Sequence, residues 1–222
     1  MQRRMDELLD LLKQKLLRMS ALAETMILDA VRILTDGKSD AKARIEQHEA
    51  EVDHMQVEID EMCLDLIALH QPTAGDLRFI LGAVKTNTEL ERLADQAINI
   101  SHKADRLIEG APEAGAEIVR RMSALAIKMV NGSLHAYVNR DVAQARAVLA
   151  QDDDLDRMKA EVTDLVLPDI ASGRASARQA LDLLLMARNL ERIGDHATNI
   201  AENTVFVAEG KDIRHSGGKV GA

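Results

Sequence analysis

The segment Leu90-Glu91-Arg92-Leu93-Ala94-Asp95-Gln96-Ala97-Ile98-Asn99-Ile100 returns as Leu190-Glu191-Arg192-Ile193-Gly194-Asp195-His196-Ala197-Thr198-Asn199-Ile200. The pattern L-E-R-x-x-D-x-A-x-N-I is unchanged at a spacing of 100 residues. Each copy sets a glutamate, an aspartate and an asparagine four residues apart, on one side of a helix if the segment is helical. The repeat reaches further. Arg18-Met19-Ser20-Ala21-Leu22-Ala23 reappears as Arg121-Met122-Ser123-Ala124-Leu125-Ala126, an offset of 103. Glu49, Val52, Asp53, Met55 and Glu58 align at that same offset with Asp152, Leu155, Asp156, Met158 and Glu161. A chain that repeats order, spacing and pattern at this length is built from a duplicated unit.

Apolar spacing defines the unit. Leu8, Leu12, Leu16, Met19, Leu22, Ala23, Met26 and Ala30 recur at helical period. They predict a first helix from about Arg4 to Thr35, stopped by Asp36-Gly37-Lys38-Ser39. A second is expected from about Asp40 to Leu69, broken by Gln71-Pro72-Thr73-Ala74-Gly75, and a third from about Asp76 to Glu109. Gly110-Ala111-Pro112-Glu113 marks the midpoint. The second half repeats the plan: a fourth helix from about Ala114 to Val138, a fifth opening at Asp141 and ending around Pro168 to Gly173, and a sixth running to about Ala208. Asp141 with Gln144 and Ser176 with Gln179 are capping-box candidates for the last two. The expectation is an all-α fold of two tandem three-helix bundles, residues 1–110 and 111–209, with a mobile aperiodic tail over 210–222. Composition agrees. With Phe79, Phe206 and Tyr137 as the only aromatics, the core must come from Leu, Ile, Val, Ala and Met.

The net charge of -9 argues against nucleic acid and suits cations or basic protein surfaces. Cys63 is the single cysteine, so no disulfide framework exists and a reducing, cytoplasmic setting is expected. No apolar run approaches the ~18 residues of a membrane span, and no signal-peptide core follows Met1.

Alignment of the halves exposes four acidic i, i+4 pairs: Glu49 with Asp53, Glu91 with Asp95, Asp152 with Asp156, and Glu191 with Asp195. Like charges at that spacing repel, so a cation between them is one explanation. Asn99 and Asn199 add candidate carbonyl ligands. Hard oxygen donors suit magnesium, calcium, manganese or iron, and zinc also accepts carboxylates. Chance alone gives about six such pairs in a chain this acidic, so a solvated face is the competing reading. On a helical wheel Glu91, Asp95 and Asn99 lie about 100°, 140° and 180° from Leu90, on the flank of the apolar stripe. Such a site would be at the bundle surface. His196, matched by Gln96, fits a solvated or hydrogen-bonding histidine better than a ligand. Gly194, matched by Ala94, indicates close helix–helix approach. One Glu51-x-x-His54 suggests a ferritin-like di-metal bundle, but its counterpart at Asp154 and Arg157 lacks the histidine.

Together the two ladders, the run Asn189 to Glu202, and the loop Gln71-Pro72-Thr73-Ala74-Gly75-Asp76-Leu77-Arg78 resemble the PhoU family of phosphate-uptake regulators. The resemblance spans all but the tail. It implies a six-helix fold, a homodimer, and metal clusters at the four acidic pairs. It further implies a negative regulator of the phosphate-starvation response, linking a phosphate ABC transporter to a sensor histidine kinase at the inner membrane face. That role is non-enzymatic; a carboxylate-bridged oxidase or hydrolase is the alternative, and a purely structural bundle the third.

Overall fold

The computed structural model describes residues 2–36, 40–107, 113–172 and 176–213. All regular structure among them is helical: α1 (Gln2–Asp36), α2 (Asp40–His70), α3 (Ala74–Leu107), α4 (Glu113–Asn139), α5 (Val142–Leu149), α6 (Asp152–Ala171) and α7 (Ala177–Glu209). The expected stops at Gly37 and Gly110–Pro112, the end at Gly173, and the tail beyond 213 lie outside the described residues.

The six-helix plan holds with one correction. The expected fifth helix is two, because the chain tightens at Ala150–Gln151. Gln151 N–H reaches back three residues to the Val148 carbonyl at 2.9 Å, and α6 restarts at Asp152. The local cause is visible in the sequence. Asp152, Asp153 and Asp154 together fill the first turn of α6, where carboxylates favour a helix N-terminus over a helix interior. The capping signals sit as read, with Asp141 accepting from Gln144 N–H and Ser176 forming a reciprocal box with Gln179.

The long helices form two layers. In front lie α2, α3, α7 and α6, in that order, with α3 against α7 the most extensive contact. Behind them α1 covers α2 and α3, α4 covers α7 and α6, and α1 meets α4. The short α5 packs on α4 and α7 through Ala145 and Val148. Helices α3 and α7 run antiparallel: Gly82 lies against Val207, Glu89 against His196, and Arg106 against Asp182. The antiparallel pairing relates the two repeats by an approximate two-fold across the α3/α7 seam, with the α5/α6 break as a departure from it. The buried apolar side chains form one continuous cluster through both halves. Its few aromatics sit together, with the Phe79 and Tyr137 rings stacked 5.1 Å apart and the Tyr137 hydroxyl donating to the Phe79 carbonyl at 2.5 Å.

Candidate metal centre: two carboxylate clusters

Between α2 and α3 the register is set by Asn87, a fully buried amide. Its Nδ2 donates to the Gln56 carbonyl at 2.8 Å and to Asp60 Oδ1 at 2.9 Å. One to two turns along α2, this brings Glu49 and Asp53 beside Glu91 and Asp95 of α3. Glu49 and Glu91 are half-buried, while Asp53 and Asp95 are exposed. Burial, then the neighbouring Asp53 and Asp95, raises the Glu49 carboxyl above the ordinary range. Glu91 is raised by burial, then by Asp95 and Asp53. The two acidic pairs thus act on one another across the helix boundary, at the flank where the wheel places them.

The second half rebuilds the arrangement between α6 and α7, with half-buried Asp152 and Glu191 and exposed Asp156 and Asp195. Burial, followed by Asp195 and Asp156, raises Asp152. Asp195 is raised by burial and then Glu191, against the pull of His196. One residue breaks the equivalence. Lys159 places Nζ 2.5 Å from Glu191 Oε1 and 3.9 Å from Asp156 Oδ1. Its counterpart in the first half is the neutral Gln56. The ammonium borders an open groove of about 560 Å³ lined also by Thr163, Arg188, Glu191, Arg192 and Asp195. At Gly194 α6 comes close, and an added Cβ would stand 2.5 Å from Leu155 Cδ2 and 3.7 Å from Asp152 Oδ1.

Among the described residues, no three Asp, Glu, His or Cys side chains already converge as they would around a bound ion. The donor chemistry of the first cluster nevertheless fits a hard cation. Four carboxylates share a helix boundary, and the two held above the ordinary range would ionise more readily beside one. The second cluster offers the same oxygens but already holds an internal cation, Lys159. The asparagines have other engagements: Asn99 Nδ2 donates to the Asp95 carbonyl at 3.0 Å, and Asn199 Nδ2 to Glu89 Oε2 at 3.2 Å.

Sequence reasoning missed Glu89, which closes the seam between the halves. Its carboxylate lies 2.7 Å from His196 Nδ1, so His196 is a buried hydrogen-bonding partner. Burial pushes Glu89 up, but the bonds from His196 and Asn199 prevail and hold it below the usual range. The mirrored place on the seam belongs to Asn189 and Gln96, both buried, each with a polar atom lacking a hydrogen-bond partner. A position-by-position comparison of the halves shows both Glu89/Asn189 and Gln56/Lys159. The repeat signal hides them because it selects what is alike.

A family model described as the PhoU domain matches this chain twice, over residues 16–104 and 119–204. The chain is 35% identical over 207 residues to a Pseudomonas aeruginosa protein named phosphate-specific transport system accessory protein PhoU homolog, covering 92% of this chain and 85% of that one. A Clostridium acetobutylicum protein of the same name is 34% identical, over 92% and 94%. The crystal structure of PhoU from Pseudomonas aeruginosa superposes with a TM-score of 0.87 at 30% identity, covering 93% of this chain and 99% of that one. The phosphate transport system regulatory protein PhoU from Streptococcus pneumoniae shares the fold, with a TM-score of 0.85 at 22% identity over 94% and 98%.

Proposed function

The chain belongs to the PhoU family, and we propose that it serves as a negative regulator of phosphate uptake and of the phosphate-starvation response. Relatives that match over most of their length are named as accessory proteins of phosphate-specific transport systems, which supports a regulator and not a catalyst. No helix among the described residues is long and apolar enough to cross a membrane. In this reading the protein works from the cytoplasm as an adaptor, between the phosphate ABC transporter at the inner membrane face and a sensor histidine kinase. As a homodimer it would present the adaptor surface twice.

The observation that carries the mechanistic half is the first carboxylate cluster. Glu49, Asp53, Glu91 and Asp95 come from two helices and face one another, and Glu49 and Glu91 resist ionisation alone. A divalent or trivalent cation (magnesium, manganese, iron or zinc) would supply the positive charge that locks α2 to α3. The protein's own part is to hold the oxygens in register through Asn87. The second cluster needs no such ion, because Lys159 binds Glu191 directly. The role is tested by deleting the gene in its host and measuring a phosphate-scavenging promoter in ample phosphate. Derepression that the wild-type gene reverses is expected. Unchanged expression would overturn the regulatory reading.

A further inference from the structure

The α6/α7 groove beside Lys159 differs in charge from the equivalent positions of the first half. Gln56, Asp60 and Thr88 stand there where Lys159, Thr163 and Arg188 line the groove. Each change moves the charge the same way. The first set holds one cation, Arg92, against Asp60, Glu91 and Asp95; the second holds Lys159, Arg188 and Arg192 against Glu191 and Asp195. A chain of net charge -9 thus gathers a surplus of positive charge in one groove of about 560 Å³.

Two of those three cations are uncommitted. Lys159 is held by Glu191 at 2.5 Å, but Arg188 and Arg192 form no hydrogen bond or ion pair among the described residues. For Arg192 the cause lies one turn back on α7. Its equivalent, Arg92, has Nη1 3.9 Å from Glu89 Oε1, and in the second half the neutral Asn189 replaces that glutamate. Arg188 and Arg192 are both exposed and line the same groove, one turn apart, with about 5–6 Å between their Cβ atoms. Two guanidinium forks at that spacing repel when empty and offer converging donors to one anion that carries several oxygens.

The acceptors in the groove select the anion. Asp195, on the next turn of α7, lines it too, and an ionised carboxylate only accepts. Thr163 Oγ1 donates to the Lys159 carbonyl at 3.2 Å, which leaves its lone pairs for the groove. A ligand seated here must bring oxygens for the arginines and a proton of its own for Asp195 or Thr163. Inorganic phosphate does, because near neutral pH hydrogenphosphate keeps one O–H. Sulfate and carboxylates have none, and a phosphomonoester has largely lost its own. Against such proton-free anions Asp195 is a repulsive element.

We infer that the α6/α7 groove binds inorganic phosphate directly, with Arg188 and Arg192 donating to its oxygens and Asp195 accepting its O–H. The first half, with Thr88 in place of Arg188 and Arg92 facing Glu89, holds no such site. Any part of this binding in regulation rests on the role proposed above. The binding itself does not, so a failed titration and an unchanged deletion strain would be separate results.

The test is equilibrium dialysis of the full chain against radiolabelled inorganic phosphate, in chelator-treated buffer at neutral pH, with sulfate and AMP as competitors. Phosphate should bind saturably with a Kd of about 1 mM or tighter. Sulfate and AMP should each compete at least tenfold less well than unlabelled phosphate. R188Q and R192Q should each weaken binding about tenfold or more, while R92Q, the equivalent change in the first half, should leave it unchanged. D195N should bring sulfate up to the level of phosphate, because an amide can turn an N–H toward the anion. A merely structural Asp195 would not alter that preference. All four variants should keep wild-type circular dichroism. No saturable binding, sulfate or AMP competing as well as phosphate in wild type, a loss in R92Q equal to that in R188Q, or a D195N protein that still rejects sulfate would each overturn the inference.

Discussion

His196 of the second repeat and Glu89 of the first meet at the seam, with Nδ1 2.7 Å from Oε2, both side chains largely shielded from water. Asn199 donates to the same Glu89 oxygen. A carboxylate present in one repeat only therefore ties the two halves together. E89A should destabilise the fold by about 2 kcal/mol, the value of charged hydrogen bonds lost from a shielded site. The pH dependence has a definite sign. Glu89 is held below its ordinary range, so its contribution is full above the unfolded carboxylate pKa and is lost as pH falls through the folded value. Urea melts of wild type and E89A should differ at neutral pH and converge in acid. A constant difference would contradict this account.

Gly82 is a close approach about two helical turns along the seam from Glu89. A Cβ there would stand 2.7 Å from Val207 Cγ2 and 3.0 Å from Tyr137 Cε2, and the tyrosine ring is held by its bond to Phe79. G82A should lower stability by roughly 1–3 kcal/mol through overpacking. That outweighs the ~1 kcal/mol gain in helix propensity. Thermal melts decide it, and a stabilised variant would show that the seam is looser than described.

The helical plan was legible because duplication and period both act over long stretches: Leu12, Leu16, Met19, Met26 and Ala30 are all buried on α1 as spaced. The flank position of the acids was legible for the same reason, since Asp53, Asp95, Asp156 and Asp195 are exposed. What was not legible depends on tertiary placement. The break at Ala150–Gln151 needs three adjacent aspartates to be weighed as a helix start within a strong helical pattern. Lys159 counts as a solvated lysine until α6 and α7 are in register. Glu89 lies just outside the repeated segment, and only the antiparallel α3/α7 pairing shows what it reaches.

Lys159 makes the two clusters unequal, and reversing that should make them alike. K159Q gives the second half the same complement as the first. Isothermal titration of metal-free protein with manganese should show an additional equivalent per chain in K159Q. The same titre in both proteins would contradict the proposal that Lys159 occupies the place of a cation.

Glu49 and Glu91 are raised, opposite to Glu89, so the sign reverses. Their contribution is favourable below the unfolded carboxylate pKa and is lost as pH rises through the folded value. In metal-free buffer E49Q/E91Q should melt with wild type in acid and above it at neutral pH. The gain is roughly a few tenths of a kcal/mol per site, because solvent screens half-exposed groups. Added manganese should raise the wild-type melting temperature and leave that of the variant unchanged. A variant that responds to metal as wild type does would remove these residues from the site.

The central claim, a cation held by the first cluster and excluded from the second by Lys159, is tested most directly by elemental analysis. Wild type, D95A and D195A would be purified identically without chelator. Wild type should carry metal, D95A should lose most of it, and D195A should keep most of it. Metal-free wild type, or equal losses in the two variants, would contradict the account.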